Sequence, residues 1–167
     1  RDRLGEKPLY YGWCNGNFLF ASELKALRAH PSFIGHIDRG ALALFLRHNY
    51  IPAPYSIYQD IFKLLPGTYL AVRADRQDGI QTTYWSARQA AETGQNHPFE
   101  GSDQEAVDQL ELLLRKSVRQ QMVADVPLGA FLSGGIDSST IVALMQAQSN
   151  TAIRTFTIGF QEDGYNE

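Results

Sequence analysis

The stretch "FLSGGIDSST", Phe131 to Thr140, places two glycines, an acid and several hydroxyl side chains between two apolar runs. The run before it, residues 126–132, is typical of a buried strand, and the run after it, residues 141–145, continues a helix. Glycine and hydroxyl side chains between such segments predict a turn. The elements around this turn predict the fold of the second half of the chain, and the ligand that the turn binds would indicate the function.

The second half of the chain predicts a βαβ unit with a helix in front of it. The capping box "SDQE" begins a helix at Ser102, and the strand, the turn, a helix to about Gln148 and a strand over 153–160 follow. An apolar stripe on the first helix is expected to pack on a sheet; its members are Val107, Leu110, Leu114, Val118 and Met122. This order predicts a doubly wound parallel sheet.

The glycines and serines of the turn predict an anion site. Ligands of open parallel sheets bind beyond the carboxyl ends of the strands, where the next helix presents unpaired amides. Gly134 and Gly135 have no Cβ, so their amides can approach an anion closely. Ser133, Ser138 and Ser139 add hydroxyl donors, which suit several phosphate oxygens.

Asp137 extends this prediction to a metal-bound nucleotide. A carboxylate beside a phosphate site can hold Mg²⁺ against the phosphate oxygens. The lysine of a G-x-x-x-x-G-K-[ST] loop is absent, so kinase-type chemistry is not indicated. The alternative is a plain turn in which Asp137 or Ser138 only caps the helix.

The first half of the chain is rich in predicted hairpins. Residues 9–13 and 18–21 are short aromatic runs around Asn15-Gly16, a dipeptide that tolerates the positive φ angles of a tight turn. Residues 68–72 and 80–85 predict a second hairpin around Asp78-Gly79.

Two short helices are predicted between these hairpins. We expect Ser22 to cap a helix that ends at Ala29, and Asp38 to cap one that contains Leu42 and Leu46. Residues 86–101 lose periodicity and gain polar residues, which is typical of a connection between domains.

Composition excludes several classes of protein. The net charge of −3 and the scattered Lys and Arg residues argue against a nucleic-acid partner. No apolar run approaches the roughly 20 residues of a membrane span, and the single Cys14 cannot form an internal disulfide. The four histidines lack metal-ligand spacing. We therefore expect a cytoplasmic protein with neither a membrane nor a nucleic-acid partner, and the absence of an initiator Met suggests a piece of a longer chain.

At this point the chain resembles a known family. "SGGIDSS", from Ser133, matches the S-G-G-x-D-S pyrophosphate loop of the ATP pyrophosphatases. Five further stretches narrow the resemblance to glutamine-hydrolysing asparagine synthetase across nearly the whole chain: "DVPLGAFLSGGIDSS" from Asp125, "TFTIGF" from Thr155, "RDRLGEKPLYY" from Arg1, "FASELKAL" from Phe20 and "LPGTYL" from Leu65.

The resemblance implies two partial domains, α+β and then α/β. Residues 1–90 would be the later, β-rich part of an N-terminal-nucleophile glutaminase (glutamine amidotransferase type 2), 91–101 a linker, and 102–167 the start of a doubly wound ATP-pyrophosphatase domain. Such enzymes adenylate the β-carboxylate of aspartate with Mg-ATP and release pyrophosphate. Ammonia from glutamine then displaces AMP, and a homodimer is a family expectation.

The resemblance also implies roles for individual residues. Asp137 would bind Mg²⁺, and Leu24 would lie near the passage for ammonia. The ATP and pyrophosphate residues would be Leu132, Ser133, Gly134, Gly135, Asp137, Ser138, Ser139 and Ile158. The family's nucleophilic cysteine is absent from this chain and Cys14 does not replace it, so no catalytic residue is assigned and we expect the chain alone to be inactive.

Other functions remain open from the sequence. A β-lactam synthetase adenylates a carboxylate but closes a ring with an internal amine, and other relatives adenylate tRNA bases or a nucleotide. A degenerate domain that only binds or regulates is a third alternative. The cluster Arg1-Asp2-Arg3 is predicted to form a structural or interdomain ion pair rather than an anion site.

Overall fold

The computed structural model describes residues 1–73 and 78–159. The chain divides into two compact units, Arg1–Pro98 and Phe99–Glu167. The division falls within the segment 91–101, although the domain assignments themselves stay a prediction. Among the described helices, none combines the length and the apolar character needed to cross a membrane.

The predicted first hairpin is confirmed. Strand β1 (Tyr10–Cys14) pairs antiparallel with β2 (Asn17–Ala21) through a tight turn. Asn15 and Gly16 in this turn have φ of 48° and 76°, the left-handed values that Asn-Gly tolerates. Strand β3 (Ile61–Lys63) pairs antiparallel with the other edge of β1, so the sheet order is β2-β1-β3.

The two faces of this sheet differ. One face carries the core of the first unit, where Cys14, Leu19 and Ile61 are buried with Leu27 of helix α1 (Leu24–Arg28). The other face carries aromatic rings in contact with one another: Tyr11, Trp13, Phe18, Phe20 and Phe62. Because side chains alternate along a strand, the pairing register fixes both sets.

The two helix caps had different outcomes. Helix α2 (Arg39–His48) begins as predicted, because the Asp38 carboxylate accepts hydrogen bonds from the amides of Gly40 (2.8 Å) and Ala41 (3.1 Å). The predicted Ser22 cap is wrong. Glu23 is the capping residue of α1, and no side chain bonds to the free amides there.

The pairing of the second hairpin is also confirmed, with a shorter second strand, but Gly79 lies in that strand rather than in the predicted turn, and residues 74–77 of the connection lie outside the described residues. Strand β4 (Thr68–Val72) pairs antiparallel with β5 (Gly79–Thr83). The Tyr84 amide still donates in register to the Gly67 carbonyl at 2.9 Å, but strand β5 ends there because the Gly67 amide donates to the Asp2 carbonyl at 2.8 Å instead of returning a bond to Tyr84.

The connection after β5 contains a helix. Residues Ala87–Asn96 form α3, whose first turn is capped by the Ser86 hydroxyl, which accepts from the Gln89 amide at 3.3 Å. The segment therefore has regular structure where the sequence lacks apolar periodicity. No residue of α3 is buried, which explains why no apolar stripe is visible.

Arg1 and Asp2 do not form the ion pair that the sequence suggested. The Arg1 guanidinium donates to the carbonyls of Gly5 (2.6 Å), Leu64 (2.8 Å) and Lys7 (3.0 Å). The Asp2 carboxylate accepts from the amides of Glu6 (2.9 Å) and Lys7 (3.0 Å), and these backbone hydrogen bonds lower its pKa. Both charges therefore bind backbone groups, a structural role.

The second unit contains the predicted βαβ arrangement. Helix α4 (Asp103–Gln121) is followed by β6 (Gly129–Phe131), α5 (Ile136–Gln146) and β7 (Arg154–Phe156), and β6 and β7 pair in parallel. The strands are shorter than predicted. Pro127 has no amide to donate to a ladder, which accounts for the late start of β6. Within the described residues the parallel sheet has these two strands, and residue 160 of the predicted strand lies outside them.

The apolar stripe of α4 is only partly covered. Val118 is buried with Leu144 and Met145 of α5, and Leu114 and Met122 pack against the same cluster. Val107 and Leu110 are 57% and 56% exposed. The stripe therefore packs mainly on helix α5 within the described residues, rather than on a sheet along its whole length.

The capping box of α4 gives a pH-dependent helix start. The Ser102 amide and hydroxyl each donate to the Glu105 carboxylate at 2.8 Å, and these bonds lower the pKa of Glu105 below its ordinary value of 4.5. A lowered carboxyl pKa stabilises the fold above the unfolded-state pKa, and this stabilisation is lost as pH falls through the folded-state pKa. We expect hydrogen-exchange protection factors in the first turn of α4 to fall on acidification below about pH 4.5. Glu105→Gln should remove that pH dependence; an identical fall in this variant would contradict the assignment.

Candidate functional site

The glycine-rich turn lies where the two parallel strands of the second unit end. Strand β6 ends at Phe131 and helix α5 begins at Ile136, so residues 132–135 form the loop. The Leu132 amide donates to the Phe156 carbonyl at 2.9 Å, which extends the pairing by one residue. The Thr157 hydroxyl then donates to the Leu132 carbonyl at 2.7 Å. The loop therefore starts from a position fixed on β7.

The backbone of the loop leaves donors free at the start of α5. Gly134 has φ of +86°, a left-handed conformation that favours glycine. Gly135 is the N-cap residue, and no side chain caps the helix. The amides of residues 134–137 donate to no described group. Free amides at the positive end of a helix dipole form an anion site.

The three serines are not equivalent. The Ser138 hydroxyl donates to the Gly135 carbonyl (3.1 Å) and accepts from the Ser133 amide (3.3 Å), and it lies 3.1 Å from the Ser133 hydroxyl. A hydroxyl can donate once and accept twice, so Ser138 is satisfied inside the loop when the Ser133 hydroxyl donates to it, and this bond also uses the single proton of Ser133. The Ser139 hydroxyl bonds to no described group, and Ser133 and Ser139 are both exposed. The loop thus offers the Ser139 hydroxyl as a free donor, whereas the Ser133 hydroxyl would have to turn its proton from Ser138 to the ligand.

Asp137 is free to bind a cation. It is exposed in the first turn of α5, and its carboxylate makes no hydrogen bond or ion pair with a described residue. It does not cap the helix, so the plain capping role is excluded. The described residues contain no group of three or more acidic, histidine or cysteine side chains around it. A single carboxylate fits Mg²⁺ when phosphate oxygens and water supply the other ligands.

The remaining predicted residues lie at two different places. Leu132 is half-buried at the carboxyl end of β6, and Ile158 is 70% exposed two residues beyond the end of β7. Both therefore follow neighbouring parallel strands at the same sheet edge. Leu24 begins helix α1 in the first unit, where it packs against the core cluster around Leu27.

Thr157 is a site residue that the sequence analysis missed. Its hydroxyl contacts the loop across 25 residues of sequence, so no local pattern reveals the bond. One signal was present: parallel strands end at the same edge of a sheet, and Thr157 directly follows β7 as Leu132 follows β6.

Comparison with known proteins matches both halves of the chain in order. Residues 1–85, just over half of the chain, match the glutamine amidotransferase domain family, and residues 109–167 match the asparagine synthase family. The chain belongs to the glutamine-hydrolysing asparagine synthetase family. The glycine-rich loop lies within the second match, and Leu24 lies within the first.

Individual relatives agree with this assignment. The chain is 38% identical, over its whole length, to a protein of Methanocaldococcus jannaschii provisionally named glutamine-hydrolysing asparagine synthetase 2. It is 34% identical to glutamine-hydrolysing asparagine synthetase 1 of Bacillus subtilis over its whole length, and 31% identical to synthetase 3 of the same organism over 98% of its length. The chain spans 32% of the first relative and 25% and 26% of the other two.

Proposed function

We propose that this chain takes part in the ATP-dependent conversion of aspartate to asparagine, with ammonia taken from glutamine. An oxygen of the aspartate β-carboxylate attacks the α-phosphorus of ATP, and the bond from that phosphorus to the bridging oxygen breaks. Pyrophosphate leaves and β-aspartyl-AMP forms. Ammonia then attacks the acyl carbon and loses a proton while the bond to AMP breaks, which gives asparagine and AMP.

The observation that carries the proposal is the loop at the carboxyl end of β6. Unpartnered amides over residues 134–137 and the exposed Ser139 hydroxyl offer donors suited to the pyrophosphate oxygens, and the exposed Ser133 hydroxyl would join them by turning its proton from Ser138 to the ligand. Mg²⁺, when bound, would neutralise charge on these oxygens, and Asp137 is the residue that would hold it. Leu132 and Ile158 would border the adenosine.

The proposal extends to the organisation of the protein. Residues 1–90 would belong to an N-terminal-nucleophile glutaminase domain and 102–167 to a doubly wound ATP-pyrophosphatase domain, joined by 91–101. Leu24 would lie near the ammonia passage. The two family matches support this division of the chain into a glutaminase part and a synthetase part. Use of ATP, glutamine and aspartate, and the unpaired Cys14, favour a cytoplasmic setting; the family resemblance implies a homodimer.

The test uses the full-length protein with ATP, Mg²⁺, aspartate and either glutamine or ammonia. Pyrophosphate, AMP and asparagine should form in equal amounts, and omission of aspartate should stop pyrophosphate release. Pyrophosphate release only with another carboxylate would keep the adenylation chemistry and overturn aspartate as the substrate. No cleavage of ATP with any carboxylate would favour the binding-module alternative.

A further inference from the structure

Two hydroxyl groups hold the same peptide bond, the one between Leu132 and Ser133. On its carbonyl side, Thr157 Oγ1 donates to the Leu132 oxygen at 2.7 Å. On its amide side, the Ser133 nitrogen donates to Ser138 Oγ at 3.3 Å. One hydroxyl comes from Thr157, directly after the neighbouring strand β7, and the other from the first turn of α5, so the peptide is held from two separate elements.

The orientation of this peptide determines where the glycine amides point. A peptide unit is planar, so fixing its carbonyl and its amide fixes the direction of the chain that leaves it. Gly134 follows Ser133 directly, and its φ of +86° turns the backbone toward the start of α5. A rotation of the Leu132–Ser133 peptide would therefore move the free amides of Gly134 and Gly135. Amides aimed at a charge contribute through their fixed orientation, so a small rotation weakens them.

We propose that Thr157 is a positioning residue for the phosphate-binding loop, and this inference rests on the proposed function. Thr157 acts on ATP through the Leu132 carbonyl rather than by touching the phosphates. The Ser138 hydroxyl holds the amide side of the same peptide. It also makes other bonds within the loop, so its removal would disturb several bonds at once. The Thr157 hydroxyl makes one bond, to the Leu132 carbonyl, which makes it the cleaner test.

The chain offers a matched set of variants. Thr157→Val keeps the branched shape and removes the hydroxyl, whereas Thr157→Ser keeps the hydroxyl. Thr155 lies two residues earlier in β7, is exposed, and its hydroxyl bonds to no described group. Thr155→Val is therefore the same chemical change two residues away, at a hydroxyl without the bond to the loop.

The experiment measures Mg-ATP binding to the full-length protein by titration calorimetry without aspartate, together with the KM for ATP and for aspartate. A lost hydrogen bond of ordinary strength corresponds to roughly a three- to tenfold loss of affinity. We expect Thr157→Val to weaken ATP binding by about this factor and to raise the KM for ATP but not for aspartate. Thr157→Ser and Thr155→Val should stay within about twofold of the unchanged protein.

Each other result overturns the inference. Equal ATP affinity of Thr157→Val and the unchanged protein would show that the bond does not position the loop. Equal weakening by Thr157→Ser would assign the effect to the methyl group, and a KM for aspartate that rises in step would indicate general damage to the fold. If the unchanged protein bound no Mg-ATP, the proposed function itself would be wrong. This result would be seen before any variant is compared.

Discussion

Replacing Asp137 by Asn should reduce ATP-dependent pyrophosphate release by at least about 100-fold while leaving glutamine hydrolysis intact. The exchange keeps the size of the side chain and removes its charge. Charge neutralisation by a metal ion contributes several kcal/mol to a phosphoryl-group transition state, and about 2.7 kcal/mol corresponds to the hundredfold loss. The Asp137 carboxylate has no described partner, so its replacement breaks no hydrogen bond of the folded chain. The measurement is kcat/KM for ATP at saturating Mg²⁺ and aspartate.

Asp108→Asn is the matched control for this prediction. Asp108 is exposed on α4, in the same unit, and its carboxylate accepts from Gln104 at 2.8 Å, a bond that an asparagine oxygen also accepts. The variant has the same change of charge away from the loop. If Asp137→Asn keeps pyrophosphate release within threefold of Asp108→Asn, then Asp137 is not the metal ligand.

Features encoded by neighbouring residues were predictable from the sequence. Asn15-Gly16 specifies its turn through the conformations that these two residues tolerate, and Ser102 and Glu105 specify a helix start through bonds that span three residues. The loop of residues 132–135 was located correctly for the same reason. Strand, glycine turn and helix follow one another directly in the chain.

Features that depend on contacts distant in sequence were predicted less well. Ser22 has the side chain of a good cap, but the helix begins two residues later and Glu23 takes the capping position. The end of β5 depends on the Gly67 amide, which donates to the Asp2 carbonyl, distant in the sequence, instead of to Tyr84. Thr157 was missed because its partner lies on the neighbouring strand. Residue types also did not reveal that Ser138 is already satisfied within the loop.

The largest effect on stability is expected at Gly12, in the central strand of the first sheet. Gly12 is buried and pairs with Leu19 of β2 and Ile61 of β3. A Cβ at this position would lie 2.0 Å from the Asp60 carbonyl oxygen and 2.8 Å from the Ile61 Cδ1 atom. The first of these is a backbone atom, so relief requires β3 to move away from β1 and to lose its ladder bonds. Overpacking of this kind costs about 3 kcal/mol or more when the backbone cannot yield.

Gly12→Ala should therefore unfold the first unit at a clearly lower temperature in scanning calorimetry of the full-length protein, or prevent its folding. Gly94→Ala provides the opposite case, because a Cβ there meets no atom within 4 Å and the residue lies inside helix α3. Alanine in place of glycine in a helix stabilises by about 0.5 to 1 kcal/mol, so this variant should unfold at the same or a slightly higher temperature. If the two variants shifted the unfolding temperature by the same amount, the close approach of β1 and β3 at Gly12 would not be the reason for glycine there. A selective loss in Gly12→Ala, with Mg-ATP binding retained, would show that the sheet of the first unit depends on this glycine while the loop of the second unit does not.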